Sequence, residues 1–322
     1  MMRILFGYDG SESADAALYD LKRAGLPEEA EALVVSVADV LMVPETTNPE
    51  IIEHTLMSRR VAAGIMLARK QAARSLLEAR AFTTKASERM RSYFPGWHLR
   101  TQVLAGQPSQ ELIRIADEWK PDLVVVGSRG RSLAGRFLLG SVSKAIVTGS
   151  DHSVRVTRGT LDKNGLDPIR LVIGIDGSSE AEHAVRSVGS RVWPSDTEVR
   201  IISVDNSSLV RVAPVFPIGG TAVNNNPEEL PLATRRMVAW AENELTAIGL
   251  NVSVAVEKGD PRQVLITEAK KWNADAIFVG GRKFSGALER LWLGSVATAL
   301  VTNAHCTVEV VRNPVTWHGK GE

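Results

Sequence analysis

Two hydrophobic rhythms alternate along the chain. Short unbroken apolar runs occupy Ile4–Tyr8, Leu33–Ala38 and Leu123–Val126, the last ending at Gly127, with Ser153–Thr157 following later. Runs of this length predict strands buried on both faces. Leu99–Leu104 reads as a weaker strand between the second and the fourth. Between the runs, apolar residues return every three or four positions. From Ser11 to Ala24 they are Ala14, Ala17, Leu18 and Leu21, with Ser11 or Ser13 as the cap. A second helical stretch runs from Pro108 to Lys120 with its proline in the first turn, and a third from Ser141 to Thr148. Strand and helix in alternation predict a parallel, doubly wound sheet.

The whole pattern then occurs a second time. RILFGYDGSESADAAL (Arg3–Leu18) returns as RLVIGIDGSSEAEHAV (Arg170–Val185), and LVVSVAD (Leu33–Asp39) as RIISVDN (Arg200–Asn206), both 167 positions on. Gly106–Gly130 returns as Gly259–Lys283 at an offset of 153, and LLGSVSKAIV returns aligned on Gly140 and Gly294. Four matches in one order, so far apart, mean two copies of one domain and not a solenoid. The expected division is a first domain over 1–158, a linker over 159–168, a second domain over 169–313 and a tail over 314–322. The copies differ between their second and third strands. The first inserts Pro49–Tyr93, which reads as helix. The second has Ser207–Thr234, rich in Pro, Gly and Asn, and then a helix over Arg235–Ile248.

Composition narrows the function classes. The 322 residues are 44% hydrophobic and 23% charged, with 38 Lys and Arg against 37 Asp and Glu. A net charge of +1 supplies no bulk field to gather nucleic acid or an anionic membrane. The single cysteine, Cys306, excludes an intrachain disulfide and fits a reducing compartment, so a cytoplasmic location is expected. The apolar stretch Val61–Ala68 is far short of the roughly 20 residues that span a bilayer. The opening apolar run is likewise too short for a signal peptide. The six histidines show no metal-ligand spacing, and no metal site is expected. Cys306, Trp119 and Trp272 read as packing residues, and the Ile51–Leu77 apolar stripe as core or a domain interface.

One motif carries chemistry. Gly127-Ser128-Arg129-Gly130 follows the fourth strand, and nine residues later Gly140-Ser141 opens a helix. Glycines let backbone N–H groups approach an anion, and a helix start aims free N–H groups and a positive dipole end at the same space. Ser141 and Ser143 add hydroxyls, and Arg129 and Arg131 add charge. In open parallel sheets, ligands sit at the carboxyl ends of strands, near the switch in strand order. The second copy reads Gly280-Gly281-Arg282-Lys283, with Lys283 where Gly130 stands and one extra residue before Gly294-Ser295. A P-loop, a G-x-G-x-x-G fingerprint and an evident catalytic dyad are all missing.

With these residues in view, the chain resembles a tandem universal stress protein. That family's signature is G-x2-G-x9-G-[ST] with an Asp after the first strand. The first copy matches at Asp9, Gly127, Gly130, Gly140 and Ser141. The resemblance implies Rossmann-like domains of the adenine nucleotide α-hydrolase type. It also implies an ATP site, with Mg2+ or Mn2+ beside the triphosphate and no evident protein ligand for the ion. Asp9, flanked by Tyr8 and Gly10, and the Val37 backbone would hold adenine. Gly127, Arg129 and Gly130 would hold ribose and phosphates, and Gly140, Ser141, Val142 and Ser143 the phosphate end. The equivalent set in the second domain is Asp176, Val204, Gly280, Arg282, Gly294 and Ser295, expected to bind weakly or not at all. The implied role is a stress-response binding protein and not an enzyme, with at most slow ATP hydrolysis. The rival is a nucleotide-free scaffold with vestigial loops. Family domains pair through their last strands, so Ser153–Thr157 and Thr307–Val311 are expected to pair within the chain as a pseudo-dimer. Further assembly into a homo-oligomer is left open.

Overall fold

The computed structural model describes residues 1–40, 59–130, 139–158, 167–205, 230–281 and 294–312; for 59–63 it describes the backbone alone. The first half runs β1 (Met2–Gly7), α1 (Glu12–Asp20), a 3-10 turn (Leu21–Arg23), β2 (Ala30–Ala38), α2 (Arg59–Tyr93) and β3 (His98–Ala105). It continues with α3 (Pro108–Trp119), β4 (Leu123–Gly127), α4 (Ser141–Gly149) and β5 (Ser153–Thr157). The second half repeats this order: β6 (Arg170–Ile175), α5 (Ser179–Gly189), β7 (Glu198–Asp205), α6 (Leu232–Ala247) and β8 (Asn251–Lys258). It ends with α7 (Pro261–Lys271), β9 (Ala276–Gly280), α8 (Ser295–Asn303) and β10 (Thr307–Val311).

All ten strands form one sheet, ordered β3-β2-β1-β4-β5-β10-β9-β6-β7-β8. Pairing is parallel within each half. The halves join through an antiparallel ladder, Val154–Val310, Arg155–Glu309 and Val156–Val308. The expected pairing of the last strands is therefore observed, and it removes two exposed sheet edges. One face of the sheet carries a single apolar cluster that crosses the seam, from Leu5 and Val124 to Ile277 and Leu300. The opposite face carries two separate clusters, one under α1 and α2 and one under α5 and α6.

The seam is charged as well as apolar. Arg155 is 1% exposed and Glu309 0%. Arg155 Nη1 donates to Glu309 Oε2 at 3.0 Å, and its Nε to Asp20 Oδ2 at 2.6 Å. Arg191 donates to the other oxygen of Glu309. The hydroxyls of Thr157 and Thr307 donate to Asp20 at 3.2 and 2.9 Å. Burial alone would lower the Arg155 pKa; Asp20 and Glu309 outweigh it and raise it. The residue after each last strand reaches across the seam. Arg158 donates to the carbonyls of Val301, Thr302 and Ala304. Arg312 donates to those of Val147 and His152. Each arginine thus meets the carboxyl end of the other domain's last helix, where the unpaired carbonyls and the helix dipole favour a cation. Burial pushes the Arg312 pKa down to about 10.

Several expected boundaries shift. β1 spans Met2–Gly7, which leaves Tyr8 in the turn, and the first helix gives way to a 3-10 turn after Asp20. The Ile51–Leu77 stripe is not core where it is described. Met66, Leu67 and Leu77 are exposed, and α2 packs on the sheet through Ala79, Ala86 and Met90. Residues 41–58 and 206–229, most of the linker (159–166) and the tail lie outside the described residues. Trp119 and Trp272 are half-buried beneath Arg3 and Arg170 respectively, and Cys306 is buried. Among the described residues, no helix is long and apolar enough to cross a membrane.

Candidate functional site

In each half the chain runs outward from the first strand to one side, then returns to the other. The switch point lies between β1 and β4, and again between β6 and β9. A crevice at the carboxyl ends of the strands follows from that topology.

In the first domain, Gly10 turns the chain at φ +77°, a conformation that favours glycine. The Asp9 Oδ1 accepts the Ser11 N–H at 3.0 Å, and Ser11 caps α1 through the Ala14 N–H at 3.2 Å. The glycine loop is bound to the same helix start. Ser13 Oγ accepts the Arg129 N–H at 3.2 Å, and Ser11 Oγ donates to the Arg129 carbonyl at 3.3 Å. Gly127 is required by close approach, since a Cβ there would lie 2.7 Å from the Ser13 backbone. A Cβ on Gly130 would meet Asp9 Oδ2 at 3.1 Å, so Asp9 and the glycine loop touch across the crevice. The Gly140 N–H closes the loop onto the Ser128 carbonyl at 2.8 Å. The first helical bond of α4 is Lys144 N–H to the Gly140 carbonyl at 3.0 Å. The N–H groups of Ser141, Val142 and Ser143 therefore have no partner within the helix.

The Val37 backbone is also at hand. The Tyr8 N–H reaches the Val35 carbonyl at 2.9 Å, just past the end of β1. Two positions on, the polar groups of Val37 face the same side, past the last paired residue of β1.

Two expected binding side chains are turned away. Tyr8 is 2% exposed and its hydroxyl donates to Asp15, which also accepts from Arg89 at 2.7 Å and Lys85 at 3.1 Å. Its ring faces α1 and α2 because Tyr8 continues the alternation of β1 just past the strand's end, falling with Phe6 on the side opposite Leu5 and Gly7. Burial, with Asp15 beside it, raises the Tyr8 pKa well above the ordinary tyrosine value. Ser143 is buried, and its hydroxyl donates to the Gly127 carbonyl at 2.6 Å. Both residues offer a ligand only their backbone. Arg129 is half-buried, and after burial itself its charge is the chief influence lowering the Arg158 pKa. Arg131 and Arg136 lie outside the described residues.

In the second domain, the equivalent crevice holds a pocket of about 620 Å3. Of the second-domain candidates, it brings together Asp176, Val204, Gly280, Gly294 and Ser295. Arg282, with Lys283, lies outside the described residues. Gly177 turns at φ +85°, and Ser178 caps α5 while its N–H meets Asp176 Oδ1 at 3.0 Å. Helix α8 starts like α4, with Thr298 N–H to the Gly294 carbonyl at 3.0 Å. The wall also contains residues that motif reasoning missed: Glu180, Ser203, Asp205, Leu230 and Thr234. Laying the repeat on itself exposes two of them, because Glu180 replaces Ser13 and Asp205 replaces Ala38. Among the described residues, no group of His, Cys, Asp and Glu is arranged to hold a metal ion.

Comparison with known proteins agrees with the repeat. The profile of the universal stress protein family matches residues 1–158 and again residues 170–312. A universal stress protein of Mycolicibacterium smegmatis is 27% identical over 312 residues, 96% of each chain. A universal stress protein of Mycobacterium tuberculosis is 30% identical over 216 residues, 66% of this chain and 69% of that one. Among solved structures, a universal stress protein from Archaeoglobus fulgidus aligns over 96% of this chain and 98% of its own. Its TM-score is 0.61 at 20% identity, a likeness of fold.

Proposed function

Since this chain belongs to the universal stress protein family and carries two of its domains, we propose that it is an adenine-nucleotide-binding regulatory protein whose principal site is the first-domain crevice. Its ligand is ATP, and it works by occupancy and not by turnover. The observation that supports this is the meeting of three parts at one mouth. Asp9 touches the glycine loop at Gly130, the helix start at Ser141–Ser143 presents three N–H groups, and the Val37 backbone faces the gap beside β1. A carboxylate and strand polar groups suit the amino and ring nitrogens of adenine. Free helix amides and a positive dipole end suit phosphates. Arg129, held to Ser11 and Ser13 through its own backbone, adds charge at the loop.

The residues fit ATP in kind: each end of the nucleotide has a matching group. Bound Mg2+ or Mn2+ would neutralise phosphate charge, and the protein's part is to position the nucleotide. Occupancy acts on the rest of the molecule only through a difference in affinity between states. The tests are direct. The purified chain is denatured and the released small molecules are separated by chromatography, where an adenine nucleotide is expected. Titration calorimetry with ATP is expected to show one dominant site per chain, weakened at least tenfold by Gly130→Val, whose side chain would press on Asp9. Two equal sites, or a Gly130→Val protein that binds normally, would refute the reading.

A further inference from the structure

The second-domain pocket has been rebuilt for a different charge, and it contains a group without a partner. Ser203 lies in its wall, is 1% exposed, and its hydroxyl has no hydrogen-bond partner. The equivalent residue of the first domain, Ser36, donates to the Tyr8 carbonyl at 2.5 Å. A buried hydroxyl left without a partner is costly, and a ligand atom is one thing that satisfies it. The surrounding wall is apolar on both sides of the sheet edge, with Ile175, Val204, Leu230 and Leu265. A volume of about 620 Å3 is in the range of small-molecule sites.

Among the described residues, the charged members of that wall are all acidic. Asp176 is common to both domains, but Glu180 and Asp205 stand where the first domain has Ser13 and Ala38. Glu180 sits at the base of the glycine loop: a Cβ on Gly280 would fall 2.3 Å from its backbone. In the first domain the same position holds the loop by accepting the Arg129 N–H. Among the described residues, no lysine or arginine lines the pocket. Carboxylates beside a run of phosphates are repulsive, whereas they accept hydrogen bonds from ribose hydroxyls and from an exocyclic amine.

We propose that the second domain binds an uncharged nucleoside, with Ser203 as a polar contact and Glu180 as the residue that excludes polyphosphates. This rests on reading the crevices as adenine sites, and it gives the two domains different ligands. The test uses the full chain carrying Gly130→Val, so that the first site is weakened. Adenosine and ATP are titrated separately by calorimetry. Adenosine is expected to bind one site at least tenfold more tightly than ATP. Adding Ser203→Ala should weaken adenosine at least about fivefold. That variant removes an unsatisfied hydroxyl, so its melting temperature should not fall, and a lost signal is then a lost contact. Adding Glu180→Ser instead should bring ATP affinity up by about tenfold, the effect of roughly 1.4 kcal/mol. ATP binding as tightly as adenosine, or adenosine affinity indifferent to Ser203→Ala, overturns the proposal. Failure of the first-domain reading looks different: wild-type and Gly130→Val proteins would then titrate identically with ATP.

Discussion

The two crevices share a frame and differ in filling. In the first domain the turn glycine, Gly10, lies against the ring of Phe82, and a Cβ there would come within 2.5 Å of it. Phe82 meets Tyr8 edge-on, and Tyr8 stacks on Phe6. In the second domain the matching turn glycine, Gly177, lies against Thr234, and the strand positions of Phe6 and Tyr8 are Ile173 and Ile175. Three aromatic rings back the first crevice where smaller side chains back the second, and the second is where the 620 Å3 pocket lies. Duplication preserved the backbone features that make a site, the φ > 0 glycine, the capped helix and the free helix start. Side-chain volume and charge then diverged around them.

The same divergence is sharpest at the seam. Arg155 and Glu309 are equivalent residues of the two last strands, and they stand opposite each other. Like domains pairing this way would bring Arg onto Arg or Glu onto Glu in a buried position. The tandem chain instead places unlike charges there, with Asp20 and Arg191 completing the network. Making the strands alike is expected to have the largest effect. Glu309→Arg leaves Arg191 and the new buried cation without a carboxylate, with Asp20 still held by Arg155, and should cost about 3–5 kcal/mol, the usual penalty for breaking a buried pair. Urea denaturation at neutral pH measures it. Removing the whole network at once, with Arg155, Arg191 and Glu309 replaced by Met and Asp20 by Asn, should recover most of the loss, and an unchanged midpoint in Glu309→Arg would show that the charges do not specify the pairing.

Next in size is the exchange of filling. Phe82→Thr gives the first domain the second domain's residue type against the turn glycine. The ring is half-buried, so the loss should be about 2 kcal/mol, below the 3–5 kcal/mol of a fully buried Phe→Ala. Calorimetric titration should then show adenosine gaining affinity for the first crevice, because the space beside Tyr8 opens. If the variant loses stability without any gain in adenosine binding, ring volume is not what separates the two sites.

A smaller difference is set by pH. Burial tends to raise the Asp15 pKa, but the Tyr8 hydroxyl, Lys85 and Arg89 outweigh it and hold it below the usual carboxylate value. The second domain has Ile175 in place of Tyr8, and Glu182, which pairs with Arg186 on the surface. An acid whose folded pKa is depressed adds stability that is present above its unfolded pKa, about 3.9, and is lost as pH falls through the folded value. Asp15→Asn should therefore be less stable than wild type by about 1 kcal/mol at pH 7. The two should converge below pH 4. A gap that stays constant from pH 7 down to pH 2 would contradict this, as read by chemical denaturation at a series of pH values.

Much of this architecture was legible in the residues. Apolar runs and the repeat are enough to find the strands and the duplicated order, and the family resemblance supplied the partnership of the last strands. The glycine spacing locates both crevices. What stayed illegible depends on direction and distance. Strand alternation gives the face of the Tyr8 ring, but nothing local says that its hydroxyl meets Asp15, or that the Ser143 hydroxyl folds back on Gly127. Ser203 is unremarkable in sequence and notable only because its neighbours leave its hydroxyl alone. The contacts of Arg158 and Arg312 span more than 140 positions each. Such pairings emerge from the packed sheet and leave no periodic trace.

Those two arginines give the last and smallest expected effect, a link between the unlike sites. Arg158 holds the carboxyl end of α8, and the amino end of α8 lines the second-domain pocket. Arg158 is disfavoured in its charged form first by burial and then by Arg129, at the first-domain loop. An anion bound beside Arg129 would relieve that repulsion and strengthen the hold of Arg158 on α8. Coupling through one such contact should be modest, about two- to fivefold in affinity, at or below the low end of the usual 1–3 kcal/mol. Adenosine should thus bind the second domain more tightly when ATP fills the first, and by linkage ATP more tightly when adenosine is present. Arg158→Met, which keeps the apolar stem and removes the charge, should abolish the coupling in both directions while leaving each ligand able to bind alone. Paired calorimetric titrations, each ligand with and without the other, decide it. Coupling that persists in Arg158→Met would mean that the two sites communicate through the apolar cluster shared across the seam and not through its arginines.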